Sequence, residues 1–265
     1  MMKLPLGLIQ SGGLGDILIA LPIARHYHDQ GRTIIWPIRA EFLPSFRESV
    51  PWVRWVPVAA DTQGLFLYEE PLNRLRDLGC HEWICLYQAL SGHPELSDVN
   101  WFQVQKFDEF KYTRAGVPFS KKWTLGEACI TRFKDRERAL ARKLNPDGRP
   151  YALTHLTASN YRTPMDFGYL RKDLLRIEIM EETDSIFDWL TLMEGADALI
   201  LIDSVFANLA DQLLMPVEKY WIPRSPIFLT PVLGSKWTIL PAPVDSLAAQ
   251  VIIPRPVIPQ ERSRG

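Results

Sequence analysis

Two doubly wound, parallel-sheet α/β domains facing one another across a cleft are the fold class this sequence predicts, on three observations. Short apolar runs alternate with stretches of helical spacing along both halves of the chain, the pattern of a parallel sheet covered on both faces. Each half also holds an apolar run that ends in small or polar residues and turns directly into a helix. These are Ser11-Gly12-Gly13-Leu14-Gly15-Asp16 in the first half and Ile202-Asp203-Ser204-Val205 in the second. Between them, a charged run over 132–144 stops at Asn145-Pro146-Asp147-Gly148, which places the boundary between the halves within 116–148. A chain of 265 residues, 47% apolar, has enough material for two small cores. The domains are set at 1–125 and 126–253, with a loose tail at 254–265 that carries three prolines and mixed charge.

In the first half, strands are expected at 4–10, 33–38, 54–58 and 82–87, and helices at 16–30, 41–48 and 69–78. Glycine suits the first strand-to-helix turn because it tolerates positive φ and lets a ligand approach the backbone. Pro22 lies inside the first helix and removes a backbone donor, so a bend or a restart is expected there. A helix is expected over 101–115, broken by Gly116-Val117-Pro118-Phe119, with 120–123 continuing as loop. The second half gives strands at 151–156, 175–180, 198–202, 217–221 and 237–240. Its helices are at 185–193, 205–214 and 244–251, and a polar loop runs over 157–162.

Composition excludes more than it selects. A net charge of −1 gives no footprint of a nucleic-acid clamp or a membrane-surface binder, although Lys106, Lys111, Arg114, Lys121 and Lys122 form either a local basic patch or a solvated helix face. Three cysteines form no disulfide pattern and fit a reducing, cytoplasmic setting. Cys80, His81 and Cys85 lack zinc spacing, so no metal is expected. The N-terminus does not read as a signal peptide, and no apolar stretch is long enough for stable membrane insertion.

Two places carry chemistry. At the first turn, Gly13 and Gly15 bring backbone close to a ligand, and Asp16 is either a helix-capping acid or a functional carboxylate. At the second, Ser204 and the amides that follow it, from Val205 on, form a helix N-terminus suited to a phosphate; an ordinary serine cap is the plainer alternative. Thr157, Ser159 and Arg162 follow a strand of the same sheet, and hydroxyls with a guanidinium suit a diphosphate. Glu182, or Glu181, stands where a carboxylate reaches a ribose hydroxyl, with a solvated turn as the alternative. His155, inside an apolar run, reads as a core histidine.

The run from Gly13 to Pro22, Gly-Leu-Gly-Asp-Ile-Leu-Ile-Ala-Leu-Pro, resembles the amino-terminal signature of the heptosyltransferase-like glycosyltransferases, glycosyltransferase family 9. Ala196-Asp197-Ala198-Leu199-Ile200-Leu201-Ile202-Asp203-Ser204, followed by Asn208-Leu209-Ala210, resembles that family's carboxy-terminal phosphate-binding signature. The resemblance implies a GT-B fold of two Rossmann-like domains, the first for the acceptor and the second for the nucleotide sugar. It also implies an inverting hexosyl, heptosyl or pentosyl transfer with no cofactor or metal, Asp16 as catalytic base, and Ser204, Val205 and Arg162 on the diphosphate. Asp203 and Asn208 belong to the same donor-binding stretch. Asn208 stands where the family has histidine, and Val205 where it has glycine. The expected partners are an ADP-, UDP- or GDP-linked sugar and an acceptor that is a glycan, a lipid-linked sugar, a protein or a modified DNA base. No Asp-x-Asp pair occurs in the sequence, in keeping with charge stabilisation by protein groups.

Two other readings stand beside this one. A non-catalytic nucleotide- or sugar-binding relative would keep the same fold. A nicotinamide or flavin oxidoreductase would use the first glycine turn, but Leu18 takes the place of the fingerprint's third glycine and no acid ends the second strand at Ile38.

Overall fold

The structure is a computed structural model that describes residues 4–59, 64–88, 105–158, 161–162, 174–223 and 230–240, with the backbone alone at 158, 161 and 162. It contains the two parallel sheets the alternation predicts. The first is built from β1 (Leu6–Ile9), β2 (Ile34–Arg39), β3 (Val53–Val58) and β4 (Trp83–Cys85) in the order β3-β2-β1-β4, all parallel. Helices α1 (Leu14–Asp29), α2 (Leu43–Arg47) and α3 (Glu69–Asp77) link its strands. The helices α4 (Phe107–Arg114) and α5 (Lys121–Thr124) follow and lean on α1.

The second sheet begins after α6 (Lys134–Leu144). Its strands are β5 (Tyr151–His155), β8 (Leu175–Glu178), β9 (Ala198–Ile202), β10 (Glu218–Ile222) and β11 (Thr238–Ile239), ordered β11-β10-β9-β5-β8 and again all parallel. A small antiparallel pair, β6 (Thr157–Ala158) with β7 (Tyr161–Arg162), occupies the stretch expected to be plain loop. Helix α7 (Leu190–Gly195) leads into β9, and α8 (Val205–Gln212) leaves it. The expected helix at 244–251 and the tail at 254–265 lie outside the described residues.

Burial explains why these strands form. Every residue of β1 and β9 is buried, as expected of central parallel strands covered on both faces. The main apolar cluster runs through both sheets, from Leu6, Leu8 and Trp36 to Leu153, Leu199 and Leu201. Cys80 and Cys85 belong to a smaller cluster under α3, where they pack as small apolar groups and burial pushes both thiols up.

The chain departs from expectation at several points. Helix α1 runs through Pro22 without a break. The proline removes one hydrogen bond, and eight consecutive buried residues, Ile17–Ala24, hold both halves of the helix against the sheets. Residues 186–189 form a 3-10 turn ahead of α7 instead of one helix from 185. Residues 121–124 are helical rather than loop, because Lys122 is drawn inward to Asp108. Lys111 and Lys122 are therefore removed from any basic surface patch; both are buried on carboxylates.

The order of the strands locates the crevices. In the first sheet the chain moves one way from β1 to β2 and later the other way to β4, so the switch point is between β1 and β4. In the second it is between β5 and β9. Ligands of open α/β sheets bind outside the carboxyl ends of strands at such points.

Candidate active site

Residues 10–13 cross the first switch point, and the protein itself occupies their polar groups. Trp36 Nε1 donates to the Gln10 carbonyl at 3.2 Å, and the Arg39 amide donates to the Ser11 carbonyl at 3.1 Å. Gln10 Nε2 donates to the Gly12 carbonyl at 2.8 Å. Ser11 Oγ donates to the Phe66 carbonyl, and the Gly12 amide donates to the Tyr87 hydroxyl at 2.9 Å. Burial pushes the Tyr87 phenol up to about 12, so it stays protonated. The Gly12 amide is thus taken, which leaves the turn poorly suited to cradle the pyrophosphate of a dinucleotide.

Gly13 precedes α1 with φ +80, and a Cβ there would collide with Asp16 Oδ2. The turn therefore requires glycine on two counts, backbone conformation and space for the carboxylate. Asp16 is the third residue of α1, close to the positive end of the helix dipole. Its side chain is 37% exposed, and Oδ1 lies 3.0 Å from Lys111 Nζ.

The second switch point holds the other motif. Apolar β9 ends in Asp203 and Ser204, and α8 begins at Val205. Ser204 precedes the helix in extended conformation, but its hydroxyl makes no bond to the helix amides. It lies instead 2.9 Å from Nδ1 of His155, at the carboxyl end of β5, whose ring packs edge-on against Phe206. Asn208 Nδ2 donates to the Ser204 carbonyl at 3.0 Å, while the buried Asn208 Oδ1 has no hydrogen-bond partner.

The two motifs meet. A Cβ on Gly15 would lie 3.4 Å from Asn208 Nδ2 and 3.8 Å from the Val205 amide nitrogen. The first turns of α1 and α8 therefore converge, one from each sheet, each carrying amides and partial positive charge at its start. Lys106, next to α4, adds charge on the same side: Nζ donates to buried Thr230 Oγ1 at 2.8 Å. Burial pushes its ammonium down, against the opposing pull of Asp108, Glu109 and Asp203. Two helix starts with free amides and a nearby lysine are groups that suit an anion, and Asp16 lies in the first turn of one of them.

The remaining predicted residues are placed as follows. Thr157 is exposed on β6, opposite Arg162 in the β6–β7 register; Ser159 lies outside the described residues, as does the Arg162 side chain. Glu182 pairs with Lys143 Nζ at 2.6 Å, at the surface. A separate cavity of about 540 Å³, lined by Arg47, Glu48, Arg136, Asp184 and Asp188, holds none of the predicted residues. Among the described residues no three His, Cys, Asp or Glu side chains are grouped to hold a metal, and no helix is long and apolar enough to cross a membrane.

Lys111, His155 and Tyr87 reach these motifs without having been singled out for it in the sequence. Lys111 lies 101 residues from Gln10, so no local spacing links them. For His155, the signal available was its place at the carboxyl end of a strand next to the one ending in Asp203-Ser204.

No family model and no curated protein matches the sequence. Solved structures do. A glycosyltransferase of family 9 from Veillonella parvula superposes with a TM-score of 0.59 at 12% identity, over 91% of this chain and 88% of that one. The Escherichia coli heptosyltransferase WaaC, solved with ADP, superposes with a TM-score of 0.51 at 14% identity, over 92% of this chain and 95% of that one. The fold is that of these glycosyltransferases. The likeness extends across both sheets, so the resemblance of the two motifs is matched by the architecture around them.

Proposed function

We propose that this protein transfers a sugar from a nucleotide-sugar donor to a hydroxyl acceptor, inverting the anomeric centre with no bound metal. The observation that carries the proposal is the convergence of the Asp16 turn with the start of α8. Asp16 takes the proton of the acceptor hydroxyl as its oxygen attacks the anomeric carbon. The bond from that carbon to the diphosphate breaks, and its electron pair leaves with the nucleoside diphosphate. The amides opening α8, Ser204 and Arg162 stabilise the charge as it develops, and Thr157 and Ser159 are assigned to the diphosphate with them. Glu182 belongs to the ribose end of the donor in this reading. WaaC was solved with ADP, which makes an adenine-linked donor the first to test. The acceptor is a glycan, a lipid-linked sugar, a protein or a hydroxylated DNA base.

A thermal-shift panel of ADP-glucose, UDP-glucose, GDP-mannose and CMP-sialic acid identifies the donor class, since a ligand that binds the folded state raises its melting temperature. With the best of the four, Asp16→Asn is expected to lower turnover by about 10²–10⁴-fold, the usual contribution of a general base, with donor binding within about twofold of wild type. Wild-type turnover by Asp16→Asn removes the assignment. Binding of the donor without any transfer or hydrolysis by the wild-type chain would favour a non-catalytic binding protein.

A further inference from the structure

We infer that Lys111 is a positioning residue that anchors one oxygen of the Asp16 carboxylate and leaves the other to meet the acceptor hydroxyl. The inference rests on the reading of Asp16 as the general base.

Lys111 lies on α4 and is 1% exposed. An ammonium has three N–H donors, and three oxygens surround this one: Gln10 Oε1 at 2.7 Å, Asp16 Oδ1 at 3.0 Å and the Leu86 carbonyl at 3.3 Å. The Phe107 ring centroid is 5.8 Å away. It donates hydrogen bonds to Gln10 Oε1 and the Leu86 carbonyl and forms an ion pair with Asp16, which is the kind of company in which a buried ammonium is tolerated. Removing the ammonium alone leaves Gln10 Oε1 and the Leu86 carbonyl without this donor and Asp16 without its ion-pair partner, so Lys111→Met also costs stability. Beyond that structural part, the ammonium supplies orientation.

That orientation acts on two parts of the site at once. Through Asp16 Oδ1 it fixes the rotamer of a carboxylate that is otherwise 37% exposed. Oδ2 then falls over Gly13, where the missing Cβ leaves it room. Through Gln10, whose Nε2 donates to the Gly12 carbonyl, the same ammonium holds the glycine turn. The arrangement divides the labour of the carboxylate. Oδ1 is committed to Lys111, and Oδ2 receives the acceptor proton while Lys111 keeps its contact with Oδ1. A base misplaced by about 1 Å loses on the order of 10²-fold in rate, so an anchor of this kind is felt in turnover rather than in donor affinity.

Two measurements on the full chain test this. In an ammonium-selective ¹H–¹⁵N spectrum of lysine-labelled protein, Lys111 should give a slowly exchanging signal, assigned by its loss in Lys111→Met. That signal should shift or vanish in Asp16→Asn, and an identical signal in wild type and Asp16→Asn overturns the anchor whether or not any sugar is transferred. In kinetics with the donor selected from the four-sugar panel, Lys111→Met is expected to lower kcat by about 10²-fold, with the donor KM within about twofold. A kcat within threefold of wild type overturns the inference while leaving Asp16 as base. Undiminished turnover by Asp16→Asn overturns both. If Lys111→Met fails to fold, the signal is assigned with Lys111→Gln and the comparison with Asp16→Asn decides.

Discussion

The hydroxyl of Tyr87 accepts the Gly12 amide at 2.9 Å and lies 3.2 Å from Ser11 Oγ, whose own proton goes to the Phe66 carbonyl. The direction of each bond follows, and Tyr87 donates to Ser11. Tyr87→Phe removes that hydroxyl and strands the Gly12 N–H, which should cost about 1–3 kcal/mol in denaturant unfolding. The phenol also makes a pH-dependent contribution. Burial raises it from 10.0 to about 12 in the folded state, so the stabilisation is complete below the unfolded value and is lost as pH rises toward about 12. Unfolding midpoints measured across that window should fall more steeply for the wild type than for Tyr87→Phe; parallel curves would show that Tyr87 ionises freely. Tyr87 illustrates what one residue's own sequence context conceals. It ends an expected strand, but its partner is a glycine amide 75 residues away.

At the scale of elements, α6 is fastened to α7 by buried charge. Glu137 is almost fully buried on α6 and accepts from Arg132 Nε at 3.0 Å and from Thr191 Oγ1 at 2.7 Å, while Arg132 also reaches Glu194. Burial alone would raise the Glu137 carboxyl, but the Arg132 and Thr191 hydrogen bonds outweigh it and hold the group below its ordinary value of 4.5. A depressed folded-state value stabilises above the unfolded value, and the stabilisation is lost as pH falls through the folded one. Glu137→Gln should therefore be less stable by about 1–3 kcal/mol at neutral pH and should lose less stability than wild type on acidification below about pH 4.5. Equal acid sensitivity of the two proteins would refute the role. The elements themselves were legible where burial on both faces leaves a continuous apolar run, as in β1 and β9, and where Asn145-Pro146-Asp147-Gly148 ends α6. They were misread where a tertiary contact overrides local propensity. Pro22 is carried through a helix held on both sides, and Lys122 pulls residues 121–124 into a helical turn toward Asp108.

At the scale of the whole molecule, the sequence motifs predicted that two turns share a groove, and Gly15 against Val205 and Asn208 is that meeting. The cations beside them were hidden because α4 reaches the crevice only after the chain has completed the first sheet. A second junction joins the sheets away from this crevice. Ser45 Oγ donates to the Asp184 carbonyl at 3.2 Å, Ser185 Oγ donates to the Ser45 carbonyl at 3.4 Å, and Arg136 bridges Glu48 and Asp188. Inside this junction Phe46 is fully buried, its ring 5.3 Å from Trp55 and 5.9 Å from Phe187. Trp55 belongs to the first sheet, and Phe187 packs with the second. The apolar cluster is continuous through these rings, so neither sheet can lose its packing without exposing the core of the other. The expectation is one cooperative thermal transition rather than two. Phe46→Ala should lower its stability by about 3–5 kcal/mol while keeping it single, because the cavity opens in packing that both sheets share. Calorimetry showing two transitions, with only one displaced by Phe46→Ala, would mean that the sheets fold independently.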